Sequence, residues 1–73
     1  MAPRPVLVIE NDPRHLSRRG LPLDALVEYV SARGYTCELI LPGATSRAIT
    51  LSDYRAFFDF VARPVPMLAP TES

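Results

Sequence analysis

Val6, Leu7, Val8 and Ile9 are four consecutive apolar residues that run directly into Glu10, Asn11, Asp12 and Pro13. An unbroken apolar run with no alternation predicts a strand buried on both faces, as in the middle of a parallel sheet. Such a strand needs a covering layer on each side, yet only about sixty residues follow it. The run therefore reads as part of a larger α/β enzyme whose sheet is opened near residue 5.

Size and composition narrow the options. The chain has 73 residues, enough for one small domain, and a domain this small buries only about 60% of its unfolded surface. Cys37 is the only cysteine and His15 the only histidine, which excludes an intrachain disulfide and a thiolate–imidazole zinc site. Within a strand-like run Cys37 reads as a small buried hydrophobe, and the composition suits a reducing, cytoplasmic setting. Eight arginines balance eight acidic residues along the chain, which argues against a nucleic-acid or anionic-membrane surface. The densest basic cluster, Arg14, Arg18 and Arg19, is too small to track a phosphate backbone. No apolar run approaches the roughly 20 residues of a membrane span, and residues 1–5 lack the apolar core of a signal peptide. The chain has no lysine, so a Schiff base, a phosphate-loop lysine and a lysine general base are all excluded.

After the first strand, over about residues 6–9, Asp12 and Pro13 suit the cap and first position of a helical turn over residues 13–19, ended by Gly20. Residues 22–33 carry Leu23, Leu26, Val27 and Val30 at the spacing of one helical face, and Gly34 is placed to close that helix. Residues 35–41 predict a second strand, with Tyr35, Cys37, Leu39 and Leu41 on one face. Residues 42–53 read as a polar connection in which Ser52 or Asp53 caps a short turn. A last strand spans about residues 57–62, with Phe58, Phe60 and Ala62 facing one way and Phe57, Asp59 and Val61 the other. Pro64 and Pro66 stop it. Residues 1–66 are thus one small α/β unit and residues 67–73 a disordered tail. The expected architecture is a small mixed sheet of three strands with one main helix, ordered β-α-β-β. The first crossover is long enough to be parallel, and the last pair of strands suits an antiparallel arrangement.

At the residue level the chain resembles the carboxyl-terminal part of FkbM-type methyltransferases, which belong to class I of the S-adenosylmethionine-dependent enzymes. The resemblance rests on Pro5-Val6-Leu7-Val8-Ile9-Glu10, Gly20-Leu21-Pro22, Arg33-Gly34-Tyr35 and Phe58-Asp59-Phe60-Val61-Ala62-Arg63-Pro64. It spans about residues 5 to 64. It implies a Rossmann-like sheet whose last strand inserts beside the fifth, and transfer of a methyl group to a small-molecule or sugar hydroxyl. It also implies S-adenosylmethionine as cofactor of the full-length family. Only Gly20, Gly34 and Gly43 are present, with no G-x-G pattern, so the cofactor-binding half is absent and these residues alone are expected to bind no cofactor. A complementary methyltransferase chain or self-association would supply the missing cover.

Glu10 stands at the carboxyl end of the first strand, the edge where open α/β sheets place ligands. With Asn11, Asp12 and His15 it forms the candidate substrate-binding set. The plainer alternatives are a Glu10 bonded to turn amides, Asn11 and Asp12 as turn residues, and His15 as an exposed loop histidine. His15 beside Glu10 is also the residue type that serves as a general base, but no catalytic constellation is recognisable. Two rival readings stand beside the first. Residues 6–13 and Asp59 resemble a phosphoacceptor receiver module, although Asn11 replaces an acidic ligand and the module's lysine is missing. A non-catalytic interaction module would instead present a Phe57/Val61 face to a partner.

Overall fold

The computed structural model describes residues 4–66. Its elements are β1 (Leu7–Asn11), α1 (Pro13–Arg18), α2 (Ala25–Ser31), β2 (Tyr35–Leu41), β3 (Thr45–Ala48), a 3₁₀ turn at Leu51–Arg55, and β4 (Phe58–Pro64). The four strands form one sheet in the order β1-β4-β2-β3, with every neighbouring pair antiparallel. β1 and β2 are both antiparallel to β4, so they run parallel to each other with β4 between them. The small α/β character agrees with the sequence; the expected three strands are corrected to four.

The additional strand is β3. It folds back on β2 through Pro42, Gly43 and Ala44, where Gly43 and Ala44 both adopt positive φ. A three-residue hairpin loop of this kind needs left-handed backbone, which glycine supplies at least cost. Thr45, Ser46, Arg47 and Ala48 carry no apolar alternation, so the segment reads as polar connection in sequence.

β1 also departs from expectation, for it is an edge strand covered on one face only. Leu7 and Ile9 pack against the core, while Val6 and Val8 are 59% and 70% exposed on the other side. The strand register explains the division. Ile9 lies opposite Phe60, and Phe60 opposite Leu39, so the residues of one parity build a continuous core layer across three strands. Phe60 and Ala62 are completely buried, and Val27 and Val30 of α2 cover them. Full burial of each such side chain stabilises by about 1.5–3 kcal/mol.

The opposite face is open. Val8 and Glu38 flank Val61 across the strands, and Ser46 Oγ donates to Glu38 Oε1 at 2.6 Å. Val61 is itself buried among these neighbours whereas Phe57 is exposed outside β4, so the two do not share an exposed face.

α2 spans seven residues, shorter than the twelve-residue stretch 22–33. The Ala25 amide donates to Pro22 O, and the Arg33 and Gly34 amides donate three residues back to Val30 O and Ser31 O. Tight i→i+3 turns thus replace α-helix at both ends. Gly34 has φ +87°, and a Cβ there would lie 2.9 Å from Arg4 Nη1. The Arg4 guanidinium uses that space to donate to Arg33 O, Gly34 O and Val65 O. It ties the lead-in of β1 to the end of α2 and the segment after β4. The expected tail at 67–73 lies outside the described residues.

Candidate functional site

The carboxyl end of β1 carries all four sequence candidates, and the structure divides them. Asp12 caps α1 as the sequence predicts: its Oδ1 accepts the Arg14 amide at 3.0 Å, and Pro13 takes the first helical position. The cap also lies 3.6 Å from Arg14 Nε. Glu10, Asp12 and His15 come together with Leu16 and Leu26 around a hollow of about 250 Å³. Because β1 is the edge strand, Glu10 borders both this hollow and the open sheet face. On that face it lies directly opposite Asp59 of β4, an arrangement of like charges that destabilises a strand pair.

Asn11 does not behave as the turn residue its neighbours suggest. It is the last residue of β1, paired with Phe58, and it is 0% exposed. Neither Oδ1 nor Nδ2 has a hydrogen-bond partner among the described residues. Leaving a buried polar group unbonded costs about 1–3 kcal/mol. Such groups are rare in native structures.

Sequence reasoning missed the apolar wall of the site. A second hollow of about 370 Å³ lies along the seam between α1 and α2, lined by Leu16, Leu21, Ala25, Leu26 and Tyr29. Leu16 and Leu26 border both hollows. In sequence only Leu26 of these residues belongs to the core stripe of the helix, and Tyr29 reads as a packing residue. The signal that could have marked them is the exposed Leu21 beside the Pro22 turn, an apolar residue outside the helical stripe.

A different polar cluster sits at the far edge. Both terminal nitrogens of Arg47 donate to the Asp53 carboxylate at 2.8 Å, and the Thr50 amide donates to Asp53 Oδ2 at 2.7 Å. Thr50, not Ser52 or Asp53, is the cap residue, with Asp53 reaching back to its amide from the third position. Hydrogen bonds from Arg47 first, and then from the Thr50 backbone, hold the Asp53 carboxyl well below the usual carboxylate range.

The described residues contain no group of three or more His, Cys, Asp or Glu side chains arranged to hold a metal. Gly20, Gly34 and Gly43 all have positive φ and each closes a turn. None follows a strand as part of a cradle for a nucleotide-like ligand. The residues present therefore do not fit S-adenosylmethionine by themselves. No described helix is long and apolar enough to cross a membrane. The fold and site define a small α/β unit with an open antiparallel sheet, one hollow at the end of its edge strand and a second between its helices. No family model, curated protein or solved structure matches this chain.

Proposed function

We propose that these residues form the carboxyl-terminal part of an S-adenosylmethionine-dependent O-methyltransferase of FkbM type, within a Rossmann-like sheet. One observation carries the reading. β4 runs antiparallel between β1 and β2, which are mutually parallel and joined through helical segments. The class I methyltransferase sheet finishes in the same manner, its last strand inserted beside the fifth. β3 is this chain's departure, an added strand outside β2.

On this reading the chain supplies the acceptor side of the enzyme. Glu10, Asp12 and His15 border the hollow at the carboxyl end of β1, where carboxylate and imidazole acceptors suit the hydroxyl of a small-molecule or sugar acceptor. Cofactor binding belongs to a glycine-rich half, in the same polypeptide or in a complementary chain. The outer edge of β1 is where that half's sheet joins, and its layers cover Val6 and Val8. The receiver alternative gains nothing from the fold, because doubly wound receivers use parallel strands and β4 runs antiparallel to β1.

The test is calorimetric titration of the natural polypeptide carrying these residues, at the length the cell makes it, with S-adenosylmethionine. The expected result is saturable binding by a longer polypeptide, or by a complex, that contains a glycine-rich βα turn. A natural product of 73 residues that binds no cofactor and purifies without such a partner overturns the reading.

A further inference from the structure

One hollow lies at the carboxyl end of β1 and the other along the seam between α1 and α2, and they adjoin at Leu16 and Leu26 with unlike linings. At one end stand Glu10, Asp12 and His15. At the other, Leu21, Ala25 and Tyr29 provide an almost wholly apolar wall. Taken together the hollows fall within the volume of small-molecule sites, about 300–1,000 Å³. We propose that the adjoining hollows act as one furrow that binds an alcohol with an apolar ring or chain, its hydroxyl at the Glu10/Asp12/His15 end and its body against Leu21, Ala25 and Tyr29. As a statement about the methyl acceptor it rests on the methyltransferase reading above.

The lining selects the class from both ends. Glu10 and Asp12 are acceptors that favour a hydroxyl donor and repel a carboxylate or phosphate. Asp12 is partly engaged by the Arg14 amide and guanidinium, whereas Glu10 accepts no hydrogen bond from the described side chains. A sugar places hydroxyls on every face. Against Leu21 and Ala25 those hydroxyls would lose water without gaining partners. Leu21 and Tyr29 are respectively 45% and 56% exposed, so an apolar body laid along the seam removes their surface from water.

The experiment is a ¹H–¹⁵N correlation titration of the chain with 2-phenylethanol, methyl glucoside and phenylacetate. Phenylethanol is expected to produce saturable shifts confined to residues 10–29, with a dissociation constant on the order of millimolar for so small a ligand. Methyl glucoside is expected to produce none, and phenylacetate to bind at least about tenfold more weakly, a difference of about 1.4 kcal/mol. Ala25→Trp fills the apolar hollow and is expected to abolish the phenylethanol shifts while the rest of the spectrum stays dispersed. Absence of saturable shifts with phenylethanol, equal shifts with methyl glucoside, or unchanged binding in Ala25→Trp overturns the proposal. The two readings fail separately. Phenylethanol binding without cofactor binding by any natural form sinks only the methyltransferase reading, and cofactor binding without phenylethanol binding sinks only the furrow.

Discussion

Asp53, at the start of the 3₁₀ turn, receives Arg47 through both guanidinium nitrogens and the Thr50 amide besides, whereas Asn11, at the end of β1, is fully buried with neither amide atom bonded. Both are polar residues at the entry to a short helical segment. The first closes its hydrogen bonds within one hairpin and its following turn, so the β3 edge is self-contained. The second leaves its hydrogen bonds open, beside Glu10 facing a like charge and a furrow bordered by His15. Polarity that is internally satisfied holds the fold together. Polarity left unbonded on the edge strand weakens it.

The largest expected effect belongs to the layer that joins the two regions. Phe60→Ala empties a completely buried position between Ile9 and Leu39, and the loss of about 3–5 kcal/mol should leave so small a chain unfolded by circular dichroism at 25 °C. Retention of a cooperative melt would mean that the β1 side and the β3 side fold independently. Next comes Asn11→Leu, which removes both unbonded atoms while keeping the branching of the side chain and should raise stability by about 1–3 kcal/mol in urea denaturation.

The Asp53 cluster should answer to pH. Its carboxyl titrates lower when folded than unfolded. Its contribution is therefore complete above the unfolded value, near about 3.9, and is lost as pH falls toward and through the folded one. Stability of the natural chain should decline below about pH 5. Asp53→Asn should lower stability at pH 7 and flatten that decline, and salt should weaken the effect because Arg47 remains well exposed. An unchanged acid profile in the variant would remove Asp53 from the account. The smallest effect is Asp59→Asn, which relieves the charge opposite Glu10 and should stabilise by about 0.2–1 kcal/mol. Destabilisation there would show that Asp59 has a cationic partner.

Much of this contrast was legible in the residues, though unevenly. Strict alternation in Tyr35, Cys37, Leu39 and Leu41, and in Phe58, Phe60 and Ala62, marked the core face of β2 and β4. The cap at Asp12 followed from its position before Pro13. β1 was misjudged because four apolar residues suggest two buried faces, whereas the open face leaves Val6 and Val8 in water. β3 was hidden by its polar composition, since an edge strand held by one neighbour and a tight loop needs no apolar periodicity. Glu10 and Asp12 were singled out at a strand end and its turn, and His15 as the only imidazole; the structure brings the three around one hollow. Asn11 was named with them, but its full burial was not legible, because Asn-Asp-Pro carries a strong turn signal and burial depends on tertiary packing. Of the apolar wall only Leu26 lies in the core stripe read for α2, and Leu21, outside that stripe, was the signal left unused.

The comparison itself is tested most directly by urea denaturation of Asn11→Leu and Asp53→Asn side by side at pH 7, against the natural chain. The account predicts opposite signs, a higher midpoint for Asn11→Leu and a lower one for Asp53→Asn, with unchanged slopes. A lower midpoint for both would contradict it, because Asn11 would then be making bonds as complete as those of Asp53.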